Sequence, residues 1–286
     1  MPTPSVDPQR FKDNQRSTWD GMSAGWAAVT DIFERGGQPT TEHLLERGGV
    51  RPGQSVLDLG TGHGEPAIRA AEAVGPEGRV VGVDLSTAML ARAHARAAAL
   101  PQAEFVEGDV ESIGLAAESF DVVLSRWGLM LVIDQLATFE AIRRVLKPGG
   151  VLATTTWGPP QSVPMLFTAT RVLGERLRLP GPPPGQPGPF SMCEADALAK
   201  TVTAAGFSDV TVTEFTVPFV LQSPAEYAAF GRAVTPRAVL DLIKRRFGSE
   251  DDPGTWGAVA DAVECHAASD GRIMLPSTAL SVRATA

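Results

Sequence analysis

Three glycines at alternate positions follow a short apolar run that contains one acid. The run is Val56-Leu57-Asp58-Leu59, and the glycines are Gly60, Gly62 and Gly64. An aliphatic run of this length predicts a buried strand, and the residues after Gly64 predict the first turn of a helix. Glycine permits backbone angles closed to other residues and lets a ligand approach the main chain. Because the first amides of a helix are unpaired, this turn predicts a site for an anionic or hydrogen-bond-accepting ligand.

Polar residues also end the next three predicted strands. Asp84 comes 24 residues after Gly60, at the end of a second aliphatic run. Asp109 and Val110 follow a third run, and Ser125-Arg126-Trp127 end a fourth. Open α/β sheets bind their ligands outside the carboxyl ends of their strands, so we expect these residues to lie together. A carboxylate at Asp84 could accept both hydroxyls of a ribose.

This series of segments resembles the class I S-adenosylmethionine-dependent methyltransferases. A dinucleotide-binding turn has the spacing G-x-G-x-x-G, whereas here the third glycine comes one residue earlier. Asp58, two residues before Gly60, and the ending Leu146-Lys147-Pro148-Gly149-Gly150 before a fifth strand are also features of that family. The resemblance covers roughly residues 50–217 and the last strand. It is strongest to small-molecule methyltransferases of the ubiquinone/menaquinone-biosynthesis type.

The resemblance implies that S-adenosyl-L-methionine is the cofactor and S-adenosylhomocysteine its product. By this analogy the glycine turn faces the methionine part of the cofactor, Asp84 its ribose, and Asp109 with Val110 its adenine. No metal is expected. The full set of expected cofactor-binding residues is Asp58, Gly60, Gly62, Gly64, Asp84, Leu85, Met89, Asp109, Val110, Ser125 and Trp26.

The implied reaction is an in-line displacement at the sulfonium methyl, for which the protein mainly supplies proximity and alignment. A general base is needed only if the nucleophile arrives protonated. We predict His63 and Arg126 as catalytic residues, with a spacer in the turn as the alternative for His63. We predict Trp19, Trp127 and Met130 as acceptor-binding residues. An ordinary loop is the alternative for residues 126–127.

The resemblance also implies the fold: an α/β, Rossmann-like, seven-stranded and mainly parallel sheet. Its expected strand order is 3-2-1-4-5-7-6, with the last strand antiparallel. Residues 1–49 are expected to form an N-terminal helical lid, and residues 50–217 with 272–286 the cofactor-binding core. Residues 158–190 and 218–271 are expected to form cap insertions that shape the acceptor pocket.

Several boundaries follow from local signals. Residues 1–17 are predicted as a frayed tail. Apolar residues at steps of three and four predict one helix from Trp19 to Phe33, which is either part of the lid or a helix packed on the core. A second helix is predicted from about Thr41 to Arg47. Capping boxes predict two further helix starts, at residues 191–194 and 223–226.

Charge and composition limit the partners. The net charge is −8 without a run of Lys or Arg, which disfavours a nucleic-acid substrate. The two cysteines, Cys193 and Cys265, lack metal-ligand spacing and are expected to be free thiols. Neither a secretory signal nor an apolar run of ~18 residues is present, so we expect a soluble, cytoplasmic protein without a membrane span.

The regions outside the motifs are rich in Trp, Phe, Leu, Val and Pro. They predict a medium-sized, largely apolar acceptor, such as an aromatic, polyketide-like or isoprenoid molecule of secondary metabolism, methylated on oxygen or carbon. This small molecule is the expected partner, and a homodimer is left open. Two alternatives are a dinucleotide-dependent oxidoreductase, which the short glycine motif disfavours, and a cofactor-binding protein with non-methylating chemistry, such as cyclisation, or a binding role.

Overall fold

The computed structural model describes residues 7–112, 114–181 and 186–286. The helices are α1 (Pro8–Ala28), α2 (Thr30–Gly48), α3 (Ala67–Val74), α4 (Thr87–Arg96), α5 (Gln135–Val145), α6 (Pro164–Leu177), α7 (Ala195–Ala204), α8 (Pro224–Ala233), α9 (Arg237–Phe247) and α10 (Pro253–Asp261). The strands are β1 (Ser55–Leu59), β2 (Arg79–Asp84), β3 (Ala103–Glu107), β4 (Phe120–Arg126), β5 (Leu146–Trp157), β6 (Ser208–Leu221) and β7 (Ile273–Thr285).

Within the described residues, seven strands form one sheet in the order β3-β2-β1-β4-β5-β7-β6. The pairs that join β3, β2, β1, β4 and β5 are parallel, and β7 is antiparallel to both β5 and β6. The predicted fold class, strand order and antiparallel last strand are therefore confirmed. The aliphatic runs in β1, β2 and β4 are buried because helices cover both faces of a parallel sheet.

The two faces of the sheet carry different helices. On one face, Leu44 of α2 packs with Ile68 of α3, Leu90 of α4 and the apolar side chains of β1, β2 and β4. On the other face, α5 and α7 pack over the second, larger core cluster. This larger cluster continues into the helices inserted around β6. Helices α6, α8 and α10 contact one another there, and the buried hydroxyl of Tyr227 in α8 accepts from the Ala169 amide of α6 at 3.0 Å.

The N-terminal region differs from the sequence-based expectation. Residues 1–6 lie outside the described residues, and residues 8–17 are helical rather than a frayed tail. Helix α1 begins at Pro8 because the Asp7 side chain accepts from the amides of Gln9 and Arg10.

The division between the first two helices also differs. The single helix predicted from Trp19 to Phe33 is divided at Val29, and α2 begins at Thr30 rather than near Thr41. Gly36, inside α2, allows a close approach, since a Cβ there would lie 2.4 Å from the Phe219 ring of β6. Helix α2 contacts the strands β4, β5 and β6. Of residues 1–49, it is α1 that crosses the carboxyl edge of the sheet.

Of the two helix starts predicted from capping boxes, one is confirmed, although the Glu226 carboxylate accepts from the Gln222 amide rather than from that of Ser223. The Ser223 hydroxyl accepts from the Glu226 amide at 3.1 Å, and α8 begins as expected. The other prediction is wrong, because the Ser191 hydroxyl donates to the Met130 carbonyl at 2.5 Å and α7 begins later, at Ala195. The predicted irregular loop at 180–189 lies partly outside the described residues, which omit 182–185. Among the described helices, none combines the length and the apolar character needed to span a bilayer.

Candidate cofactor and acceptor site

The glycine turn after β1 has the backbone geometry that its sequence requires. Gly60, Gly62 and Gly64 have φ values of 70°, 54° and 97°, which lie in the left-handed region that favours glycine. The amides of Gly60 and Thr61 donate to the Val83 carbonyl at 2.8 and 3.0 Å, so the turn is fastened to the end of β2. A Cβ on Gly60 would lie 3.0 Å from Gly128, which shows that the loop after β4 packs directly against the turn.

Asp84 lies beside this turn, as the spacing between the two strands predicts. Its carboxylate oxygens accept from the Gly62 amide at 2.8 Å and from the Ser86 amide at 2.9 Å. Burial raises the pKa of the Asp84 carboxyl, while these backbone bonds act in the opposite direction. The structure thus brings Asp84 to the glycine turn, and its ribose-binding role stays a prediction.

Asp58 is fully buried beneath the turn. One carboxylate oxygen accepts from the Ala67 amide at the start of α3, at 3.1 Å. Within the described part of the chain, its other oxygen and the nearby Thr61 hydroxyl have no hydrogen-bond partner. Burial raises the pKa of the Asp58 carboxyl to about 7. The Thr61 hydroxyl lowers the pKa of Asp58 against the effect of burial, so the two groups are neighbours beneath the turn.

Asp109, at the end of β3, is held by the N-terminal helix. Lys12 of α1 donates to its Oδ2 at 2.5 Å and also pairs with Glu111 at 3.2 Å. The other oxygen of Asp109 accepts from the Glu111 amide at 2.9 Å. The acid expected to receive the adenine amino group is therefore already bonded to a cation from α1.

Two further residues of α1 contact the loop after β2. Asp20 accepts from the Ser86 hydroxyl at 2.6 Å and from the Ala88 amide at 3.1 Å, at the start of α4. Arg16 donates to the Leu85 carbonyl at 3.2 Å. Sequence analysis did not identify Lys12, Arg16 or Asp20. Their spacing of four residues would have placed them on one face of a helix, had a helix been assigned there.

His63 lies between the glycine turn and α1. Its Nε2 is 3.2 Å from the Ser23 hydroxyl, which also lies 3.2 Å from the Ala88 carbonyl. Burial lowers the pKa of His63 to about 4, and the neighbouring Arg92 and Arg96 act in the same direction. The imidazole is therefore neutral near pH 7, and its catalytic role stays a prediction.

Arg126, at the end of β4, is buried in an ion pair with α2. Its guanidinium donates to both carboxylate oxygens of Glu34, at 2.5 and 2.8 Å, and to the Thr41 hydroxyl at 2.9 Å. The side chain is 7% exposed. Arg126 thus joins α2 to the carboxyl edge of the sheet, and its catalytic role stays a prediction.

An aromatic cluster fills the space between α1, α2, the loop after β4 and the inserted helices. We define the cluster by six residues that contact one another in pairs: Trp26, Phe33, Trp127, Trp157, Phe219 and Phe230. Trp19 lies at its edge, with its ring 6.5 Å from that of Trp26. Met130 is also buried, and its carbonyl accepts from the Ser191 hydroxyl. Of the residues predicted to bind cofactor or acceptor, the structure therefore places Trp26 and Trp127 in one apolar region.

The remaining predicted site residues have mostly structural contacts. The buried Ser125 hydroxyl donates to the Leu59 carbonyl at 2.7 Å, and so joins β4 to β1. The Met89 side chain is buried and its amide donates to the Ser86 hydroxyl. The Leu85 carbonyl accepts from Arg16, and Val110 packs, partly buried, against the larger core cluster. Ligand contacts by these four residues stay predictions.

Comparison with known proteins agrees with this site. Residues 56–150 match the model of a methyltransferase domain, and this range contains the glycine turn, Asp84, Asp109 and Arg126. A demethylmenaquinone methyltransferase of Staphylococcus aureus is 36% identical over 111 residues, which are 39% of this chain and 46% of that protein. The chain thus spans less than half of the length of the curated relatives that it matches.

Solved structures share the fold at low identity. A phosphoethanolamine N-methyltransferase of Haemonchus contortus, solved with S-adenosylhomocysteine, is 22% identical and has a TM-score of 0.60, with 99% of this chain and 61% of that chain covered. The [4+2]-cyclase SpnF is 21% identical and has a TM-score of 0.52, with 86% and 79% covered. Residues 56–150 therefore match a methyltransferase domain, and the resemblance to the class I S-adenosylmethionine-dependent methyltransferases that the glycine turn and the acids after it predicted is confirmed.

Proposed function

We propose that this protein is an S-adenosylmethionine-dependent methyltransferase. It would transfer the sulfonium methyl to an oxygen or carbon of a medium-sized, largely apolar small molecule. The observation that carries this proposal is the glycine turn after β1, whose Gly62 amide is bonded to Asp84 at the end of β2. A ligand in this turn would contact partly exposed main chain and a partly buried carboxylate at once.

The residues at the carboxyl edge fit the cofactor. The glycine turn would hold the methionine part, and the unpaired atoms of Asp58 and Thr61 lie beneath it. Asp84 would accept from the ribose hydroxyls, and Asp109 with Val110 would meet the adenine. When bound, the cofactor supplies an already activated methyl group.

The protein's own contribution would be positioning and exclusion of water. Helix α1 crosses the ends of β1, β2 and β3 through Lys12, Arg16, Asp20 and Ser23, and we propose that it is the lid of this site. Alignment of two reacting groups can contribute ~7–11 kcal/mol to lowering a barrier. His63 could accept a proton from the acceptor, but a pKa near 4 gives it little driving force as a base at neutral pH.

The aromatic cluster supports an aromatic acceptor. Trp127 lies one residue before Gly128, which packs on the glycine turn, so the cluster begins where the methyl group would be presented. The curated relative is named for demethylmenaquinone, whose quinone ring belongs to the same class. Polyketide-like and isoprenoid acceptors remain within the proposal.

A second candidate function is cofactor-dependent binding with non-methylating chemistry. The specific observation in its favour is the shared fold with a [4+2]-cyclase over 86% of this chain. Cofactor binding without methyl transfer to any aromatic, polyketide-like or isoprenoid acceptor would favour this function.

The test is calorimetric titration of the protein with S-adenosylmethionine and S-adenosylhomocysteine. We compare the wild type with Asp84→Ala, and use Asp121→Ala as the matched control. Asp121 also accepts a backbone amide, from Ser55 at 2.8 Å, but at the amino end of β4. Binding that is lost in Asp84→Ala and retained in Asp121→Ala supports the proposal. A folded wild type that binds neither ligand refutes it.

A further inference from the structure

Trp127 has an unusual backbone conformation in the loop after β4, between the glycine turn and the aromatic cluster. Its φ is 59°, a left-handed value that is a genuine outlier for a bulky side chain. Such a conformation is unfavourable and persists only where the surrounding structure fixes it. Here the Trp127 amide donates to the Thr155 carbonyl at 3.0 Å, and the next residue, Gly128, packs against Gly60 of the glycine turn.

The Trp127 ring is held on several sides. It stacks on Trp157 with ring centroids 4.2 Å apart and an interplanar angle of 11°. The Phe33 ring meets it edge-on at 5.3 Å, and the Arg126 guanidinium lies 5.2 Å from its centroid. Because Arg126 is itself fixed by Glu34 and Thr41, the indole is not free to turn towards another partner.

The indole N–H of Trp127 is nevertheless unpaired. Its Nε1 is buried and bonds to nothing in residues 7–112, 114–181 and 186–286, and the side chain is 8% exposed. Buried indole donors normally find a partner. The two rings that contact the indole face to face or edge-on, Trp157 and Phe33, offer no hydrogen-bond acceptor to this N–H. An oxygen of a bound molecule would complete the donor.

The indole of Trp26 repeats this feature on the lid side of the cluster. Trp26 of α1 meets Phe33 edge-on at 5.2 Å, across from Trp127, and its Nε1 is also buried without a partner among the described residues. Two unpaired donors within one aromatic cluster fit a flat ring system that carries oxygen atoms. They do not fit a pure hydrocarbon, which would leave both donors unpaired.

We propose that the Trp127 indole N–H donates a hydrogen bond to an oxygen of the methyl acceptor. The site then selects flat aromatic molecules that carry a carbonyl or hydroxyl oxygen over the same ring system without oxygen. This inference rests on the proposed function for the presence of an acceptor. The choice of Trp127 rests on its stacked ring, its left-handed backbone angle and its unpaired indole N–H.

The test uses the indole N–H signals of the five tryptophans in an ¹⁵N-labelled sample of the full chain. The protein, with S-adenosylhomocysteine added, is titrated with 1-indanone and with indane, which share one ring system and differ by one carbonyl oxygen. We expect 1-indanone, but not indane, to move the Trp127 indole proton downfield. Trp256 is the internal control, because its Nε1 already donates to the Glu250 carbonyl at 2.8 Å.

The matched variant is Trp127→Phe, which keeps an aromatic ring and removes the donor. A net hydrogen bond of about 0.5–1.5 kcal/mol corresponds to a loss of about 2- to 12-fold in 1-indanone affinity, with indane affinity unchanged. Trp256→Phe should leave both affinities unchanged. If Trp127→Phe does not fold, the wild-type shifts still decide, since the Trp127 signal can be assigned by elimination with the other Trp→Phe variants.

Either of two results overturns the proposal: 1-indanone fails to bind, or it binds without moving the Trp127 signal. A retained preference for 1-indanone over indane in folded Trp127→Phe also overturns it. These readouts do not depend on methyl transfer. Failure of the proposed function would appear separately, as absent S-adenosylhomocysteine binding in calorimetry.

Discussion

The buried ion pair between Arg126 and Glu34 gives the sharpest prediction about stability. Glu34→Gln removes the charge that faces a guanidinium only 7% exposed, while it keeps the shape of the side chain. Loss of one partner of a buried ion pair costs about 3–5 kcal/mol. Arg126 keeps its bonds to the Thr41 hydroxyl at 2.9 Å and the Gly37 carbonyl at 3.4 Å, so we expect a smaller cost of about 2–3 kcal/mol.

The assay is equilibrium unfolding in urea, with thermal unfolding beside it. For domains of 150–250 residues, about 1 kcal/mol shifts the thermal midpoint by roughly 2–4 °C, so Glu34→Gln should lower it by roughly 4–12 °C. Glu104→Gln is the matched control, because the Arg79–Glu104 pair has side chains 58% and 54% exposed. Exposed pairs contribute about 0–1 kcal/mol, and the control should change the midpoint little.

A double variant separates charge from packing. If the loss in Glu34→Gln comes from an uncompensated guanidinium, adding Arg126→Met should recover part of it, because the buried guanidinium is then removed. Glu34→Gln that unfolds at the same urea concentration as Glu104→Gln would refute this reasoning. A double variant that is less stable than Glu34→Gln would show that packing of the arginine matters more than its charge.

Three further predictions concern single side chains of the site. Because burial raises the pKa of Asp58 to about 7, its contribution to stability is present below pH ~4 and is lost as pH rises through 7. Thermal unfolding from pH 5 to 8 should therefore show Asp58→Asn more stable than the wild type at pH 8, and the opposite order would contradict this. Lys12→Met should tighten S-adenosylhomocysteine binding about 2- to 5-fold in calorimetry by releasing Asp109. Lys147→Met, which breaks an ion pair at the other edge of the sheet, is the unaffected control. His63, with its pKa near 4, should show no imidazole titration by NMR between pH 5.5 and 8, and an inflection near 6.5 would refute this placement.

The parts of the fold that follow short-range patterns could be predicted from the sequence. The position of Asp84 beside the glycine turn depends on aliphatic runs and on the length of one strand–helix–strand unit, whereas the strand order is expected from the resemblance to the methyltransferase family. The positive φ values at Gly60, Gly62 and Gly64 follow from residue type. In each case the signal lies within about 30 residues of the feature that it predicts.

What could not be predicted depends on contacts between distant parts of the chain. Lys12 and Asp109 are 97 residues apart, and nothing local to either residue indicates their ion pair. Gly36 signals a helix break by propensity, but the approach of Phe219 favours a glycine within the helix. Ser191 lies in a capping-box sequence, yet its hydroxyl donates a hydrogen bond to the Met130 carbonyl. Tertiary contacts override local preference at both positions.

The contacts of α1 differ in kind along its length. Its amino half is attached through Lys12, Arg16 and Asp20, whereas its carboxyl half packs Gly25 against Ala233 of α8 and Trp26 into the aromatic cluster. Dissolved ions screen the ion pairs of the amino half, which join Lys12 to Asp109 and Arg16 to Glu107, and leave the apolar packing of the carboxyl half almost unchanged. The helix is therefore expected to hinge near Gly25 and to open from its amino end as ionic strength rises, which amide hydrogen exchange along α1 would report. The adenine end of the cleft would then be uncovered before the aromatic end, so that cofactor could exchange while the acceptor region stays closed.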